Sequence, residues 1–262
     1  MGQRVFDEIF PRLTLSLVAA DPKADVHTLE YREQVKRAAL TLLYRLLFVL
    51  YAEDRDLLPV RDPRYDDYSL RRIRQDIADR SDRQDTFAAG IRRYWQHLSD
   101  LFRAIANGEP SIGLPAYNGG LFDDAREPLL QRIALGDAAM APILDALSRE
   151  LGSDGRPHWI NYRDHSVQQL GSIYERLLEQ ALAVDADGLL RVQPSSFARR
   201  VTGSYYTHDD LVKLRIQESL TPLISERKAR FSARFETLQA ETGAIHIRRH
   251  TLEADDPSAA LL

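Results

Sequence analysis

The chain has 262 residues, a formal net charge of −4 and no cysteine. That length holds one large or two modest domains, and the missing thiols exclude disulfides and thiolate metal sites, which fits a cytoplasmic protein. The small negative charge excludes a surface that attracts nucleic acid everywhere, so any DNA contact has to use a local patch. Apolar residues make up 44% and charged residues 28%, the balance of an ordinary globular protein. The basic residues are nearly all Arg, with Lys only at Lys23, Lys36, Lys213 and Lys228. The start, MGQRVFDEIFPRL, lacks an apolar core with a cleavage site and does not read as a signal peptide.

In chain order, residues 4–18 form an amphipathic segment that ends at the Asp21-Pro22-Lys23 turn. A long helix starts near Glu30 and carries Val35, Ala38, Ala39, Leu42, Leu43, Leu46, Leu47 and Leu50. Its apolar run, residues 39–52, is shorter than the roughly 20 residues of a membrane span and reads as the buried central helix of an all-helical domain. Arg45 inside that run needs a partner, and Glu53 or Asp54 is the expected one. Residues 62–85 alternate Arg with Asp around Tyr65 and Tyr68, which predicts a solvated helix face laced with i,i+4 pairs more than a DNA contact.

Phe87, Ile91, Tyr94, Trp95, Leu98, Leu101, Phe102 and Ile105 recur at three- and four-residue steps and predict a core helix over 87–105, stopped by Asn107-Gly108. His97 within it reads as a satisfied interior histidine. Residues 108–127 form a loop in which Tyr117-Asn118-Gly119-Gly120 requires positive φ. Another helix spans about 137–151 with Asp137 as its cap. After a Gly152–Pro157 turn, Ser166 and Gln169 predict a capping box for a helix with the stripe Leu170, Ile173, Tyr174, Leu177, Leu178 and Leu182. Residues 184–198 read as a link. No run of four residues alternates cleanly except near 244–252, so the chain is predicted to be mainly α.

Residues 199–223, RRVTGSYYTHDDLVKLRIQESLTPL, concentrate several special features in one place. Gly203 permits positive φ or close approach to a ligand. Thr207 is placed as an N-cap with Asp210 in the capping-box position, and Asp209 and Asp210 suit the positive end of the helix dipole. Pro222 is expected to limit the helix. Of two adjacent tyrosines at such a junction, one can pack while the other stacks on a ligand, and the free N–H groups of the helix start can seat a carboxylate or phosphate.

The run GSYYT followed by an apolar helix resembles motif X of N6-adenine DNA methyltransferases, of the fused type IIG restriction–modification kind and related phage-defence enzymes. Gly203, Tyr205, Tyr206 and Thr207 match that motif by position, and His208 stands where the family usually has Pro. The resemblance extends to LLYRLLFVLYAEDRDLLP (residues 42–59), YNGGLF (117–122) and LGSIYERLLE (170–179), in the family's order. It implies that the four matched residues help to hold the methionine part of S-adenosylmethionine. It also implies duplex DNA as substrate, and a helical connector or DNA-embracing domain over 1–195 ahead of the N-terminal helical edge of an α/β methyltransferase domain over 196–262.

The family's chemistry lies in two further motifs that these 262 residues lack. One is a glycine-rich loop after a strand. The other is Asn/Asp-Pro-Pro-Tyr/Phe, which holds a flipped adenine. Asn107, Asn118 and Asn161 have no following Pro. The expectation is a chain that stops before the catalytic sheet, is inactive alone, and depends on the missing methyltransferase core or an equivalent subunit, with or without a fused nuclease. The competing reading is a non-enzymatic helical interaction module of a restriction or phage-defence system. No catalytic residue and no metal ligand set is assigned: Glu226-Arg227-Lys228 lies in a charged helix, and His246 with His250 lacks a third ligand.

Overall fold

The computed structural model describes residues 2–117, 119–194 and 209–242. With 65% helix against 8% strand in two small sheets, the protein is mainly α, as the periodicity predicts. The chain divides into a unit of Met1–Tyr205 and a unit of Tyr206–Leu262.

In the first unit, a helical turn at Gly2–Arg4 passes through a π-helical turn, Val5–Ile9, into α1 (Phe10–Ala20). Val5, Phe6, Ile9, Phe10, Leu13 and Leu17 are buried, the inward face of the predicted amphipathic segment. The central helix, α2 (Leu29–Asp54), opens with the Thr28 hydroxyl accepting from the Tyr31 N–H. All eight predicted apolar positions from Val35 to Leu50 are buried, and the helix touches α1, the following helix and the later β-hairpin. The apolar run is therefore core. Among the described residues no helix is long and apolar enough to cross a membrane.

Next comes α3 (Leu70–Asp82), which buries Leu70, Ile73, Ile77 and Ala78 together with Arg74, whose Nε donates to Ser148 Oγ, and turns Arg71, Arg72 and Asp79 outward. The outward face is solvated as expected, but its ion pairs are not at i,i+4. Arg64 binds Asp62, Arg72 reaches Asp67 and Arg93 reaches Asp76. The short 3-10 turn Pro63–Asp67 and the chain reversal after α3 bring these groups together in place of a single helical ladder.

The aromatic stripe begins its helix later than predicted: α4 runs over Arg93–Asn107. Residues 88–91 instead serve the N-terminus of α5 (Asp137–Ser148), where the Ile91 and Ala88 carbonyls accept from the Asp137 and Ala138 N–H groups. The approach is close enough that a Cβ on Gly136 would lie 2.0 Å from the Ala89 carbonyl oxygen. In return, Asp137 caps α4 and not its own helix, its Oδ1 accepting from the Tyr94 N–H at 3.1 Å. Two helix starts thus satisfy each other. As predicted, α4 stops at Gly108, with φ +81°. In the loop that follows, Gly120 takes positive φ, while Asn118 lies outside the described residues.

Helix α5 ends at Ser148, three residues before the predicted end, because the Ser148 carbonyl leaves the helix to accept from the Ile160 N–H. That switch starts β1 (Arg149–Leu151), paired antiparallel with β2 (Pro157–Trp159). Helix α6 (Val167–Leu178) has the predicted capping box, Ser166 Oγ accepting from Gln169 N–H at 3.1 Å and Gln169 Oε1 from Ser166 N–H at 2.8 Å. The expected link is a second hairpin, β3 (Gln180–Val184) with β4 (Leu190–Pro194), and Leu182 belongs to β3 and not to the helix. The Asp185 carboxylate closes the turn by accepting from the Asp187 and Leu189 N–H groups, and Gly188 supplies φ +80°.

In the second unit the described residues form one helix, α7 (Asp209–Thr242). The helix runs through Pro222, contrary to the expected stop. Proline removes one N–H and crowds one carbonyl, and good helix formers on both sides, Lys213 to Glu218 and Glu226 to Arg230, carry the helix across.

Candidate functional site

Gly203, Tyr205, Tyr206 and Thr207, together with His208, lie outside the described residues. So do His246 and His250. The structure describes the flanks of the tyrosine segment: the β3–β4 hairpin before it, and α7 after it with Asp209 and Asp210 in the first turn. Along α7, Leu211, Leu214, Ile216, Leu220, Leu223 and Ile224 are each about half exposed.

The other three runs that carry the resemblance are described except for Asn118, and they meet at α2. Phe48 packs edge-on against Phe122, with ring centroids 5.4 Å apart, and against Tyr117 at 6.2 Å. The Tyr117 hydroxyl donates to the Leu57 carbonyl at 3.0 Å. On another part of the helix, Tyr44 lies 4.8 Å from the Tyr174 ring, and Lys36 Nζ donates to the Leu178 carbonyl. The 117–122 loop and α6 therefore both dock on the helix that bears the 42–59 run.

Arg45 departs from its expected pairing. Its Nη1 binds Asp124 at 2.8 Å, and its Nε donates to the Leu121 carbonyl at 2.8 Å. Glu53 and Asp54 are both engaged elsewhere. Glu53 is fully buried and accepts from the Tyr65 hydroxyl and from the Leu70 and Arg71 N–H groups, so it caps α3 in place of Ser69. Burial pushes its carboxyl above the usual Glu range, and the Leu70, Tyr65 and Arg71 donors pull it back. Asp54 accepts from the Tyr162 N–H and lies 3.7 Å from Arg74. Asp56, at φ +56°, receives Arg163 and Arg61, which hold its carboxyl below the usual range. The acids of the Ala52–Asp56 run thus tie two segments to the end of α2, the start of α3 through Glu53 and Asp54 and the Tyr162–Arg163 turn through Asp54 and Asp56, a structural role.

Catalytic chemistry finds no support in these contacts. Among the described residues no three His, Asp or Glu side chains gather as a metal site. His97 is half-buried, and its Nε2 has no hydrogen-bond partner among the described residues, so it is not the satisfied interior histidine expected. One feature was missed from sequence: Trp95, Phe102 and Arg45 line a cleft between α2 and α4. The only advance signal was an arginine set within an apolar helical run. Comparisons of the chain with protein-family models, with curated proteins and with solved structures gave no match in any of the three.

Proposed function

We propose that the chain is the N-terminal helical part of an S-adenosylmethionine-dependent DNA adenine-N6 methyltransferase, with one wall of the cofactor pocket in Gly203, Tyr205, Tyr206 and Thr207. One observation supports this reading: the 117–122 and 170–179 runs of the resemblance, far apart in sequence, each pack on the 42–59 run. Residues that jointly build one interface are more telling than the same residues scattered. Duplex DNA as substrate, and adenine as the target, rest on the resemblance alone.

The matched residue types suit the cofactor. A threonine hydroxyl and the N–H groups of a helix start favour a carboxylate. An aromatic face favours a sulfonium cation. S-adenosylmethionine, when bound, supplies the methyl group. In this reading Thr207 orients the methionine carboxylate, Gly203 lets the backbone approach it, and one of Tyr205 and Tyr206 shields it from water while the other packs.

The 262 residues contain no Asn-Pro-Pro-aromatic loop to accept the adenine amino hydrogens. The purified chain is therefore expected to transfer no labelled methyl group to DNA, whereas the chain joined to a polypeptide carrying that loop transfers it to adenine N6. Incorporation by the 262-residue chain above a no-enzyme control would show that these residues contain a base-holding site. Methylation-silent behaviour of the joined protein would favour the interaction-module reading.

A further inference from the structure

Between α2 and α4 lies a cleft of about 400 Å³. Helical spacing makes it. Trp95, Leu98 and Phe102 recur on one face of α4, Leu42 and Arg45 stand one turn apart on α2, and Leu130 and Ile133 close a third side. Polar side chains share the walls with these apolar ones: Gln96, Ser99 and Gln131, with Arg103 and Asp124 as the charged members besides Arg45.

Arg45 is the unusual member. Its side chain is 4% exposed, and its guanidinium carbon sits 5.5 Å from the Phe102 ring centroid and 5.9 Å from that of Phe122. Nε and Nη1 are used by the Leu121 carbonyl and the Asp124 carboxylate, while Nη2 is buried with no hydrogen-bond partner among the described residues. A buried, charged N–H left unpaired is unfavourable, and an acceptor brought to it is worth more than one at the surface. Asp124 compensates the charge only in part, because its side chain is 61% exposed and faces water.

We propose that this cleft binds a small monocarboxylate with a flat apolar body, its carboxylate accepting from Arg45 Nη2 and its body lying against Trp95 and Phe102. A cation would meet Arg45 and Arg103. A phosphate would have to shed a larger hydration shell against the apolar face of Trp95, Leu98 and Phe102, with Asp124 repelling its second charge. A single carboxylate on a ring matches one unpaired guanidinium nitrogen beside aromatic faces. The proposal stands independently of the methyltransferase reading.

The chain's two tryptophans make the test direct. With indole nitrogen-15 labelling, Trp159→Phe assigns the two indole N–H resonances, and the full chain is titrated with benzoate and, separately, with the neutral isostere benzamide. Benzoate is expected to shift the Trp95 resonance saturably and leave Trp159 in place, with benzamide at least tenfold weaker. Arg45→Gln should weaken benzoate by roughly 10- to 150-fold, the value of a hydrogen bond to a charged group. Should that variant fail to fold, Asp124→Asn at an exposed position decides. Removing its negative charge should tighten benzoate about threefold or more and leave benzamide unchanged. A Trp95 resonance that benzoate does not move, or equal affinity for benzoate and benzamide in both the wild type and Asp124→Asn, overturns the proposal.

Discussion

Glu53 shows how much one buried side chain can organise. Its two oxygens serve the first N–H groups of α3 and the Tyr65 hydroxyl, so truncation leaves several buried donors unpaired. Glu53→Ala is expected to destabilise the protein by roughly 3 kcal/mol, about 1 from the lost cap and the rest from the stranded hydroxyl and N–H groups. Glu53→Gln should cost less, because one oxygen still serves Leu70 and Tyr65 while the new amide nitrogen faces the Arg71 N–H. Urea unfolding at neutral pH measures both. Equal stability of Glu53→Ala and wild type would remove Glu53 from its place in the fold.

Asp21 carries the clearest pH signature. Arg132 binds both of its oxygens, and the Lys23 N–H and Tyr31 hydroxyl add to them, which holds its pKa at about 2. A carboxyl depressed in the folded state stabilises fully above its unfolded pKa, roughly 4. That contribution is lost as pH falls from there through about 2. Stability of the wild type should therefore drop across this window, and Asp21→Asn should be less stable at pH 7 with a shallower drop. Parallel curves for the two proteins would contradict the assignment.

At the scale of elements, the reciprocal caps of α4 and α5 explain both a success and a failure of the sequence. Asp137 is legible as a helix-capping residue, but the helix it caps is not its own, since that depends on which helix start folding brings beside it. Asp137→Ala should cost about 1 kcal/mol and raise amide exchange first at Tyr94, in α4. Exchange rising first within α5 instead would mean that Asp137 caps its own helix.

The legible parts of the fold share a local cause. The Ser166–Gln169 capping box, the Asn107-Gly108 stop and the buried stripe of α2 are set by neighbours within a turn or two. What escaped has tertiary causes. Residues 88–91 leave the helical pattern to serve α5, Ser148 turns its carbonyl to Ile160, and Arg45 finds Asp124 on a distant loop. The β3–β4 hairpin escaped for a different reason: its strands are five residues long, and Ala181, Leu182 and Ala183 give no alternation, although Asp185 and Gly188 marked its turn.

For the whole molecule, sequence and structure contribute different parts of the account. The structure supplies a helical unit whose resemblance-bearing runs pack around α2, and a long helix that follows the tyrosine segment. The ligand proposed for that segment rests on the resemblance that Gly203, Tyr205, Tyr206 and Thr207 carry. The central claim is thus that Thr207 faces a cofactor carboxylate and does more than start a helix. The direct test is titration calorimetry of S-adenosylmethionine into the chain joined to a methyltransferase core. Thr207→Ala should bind roughly 10- to 150-fold more weakly than wild type, the loss of a hydrogen bond to a charged group, while Tyr68→Phe in the first unit should bind as wild type does. Wild-type affinity in Thr207→Ala would contradict the account and leave the segment as a capped helix alone.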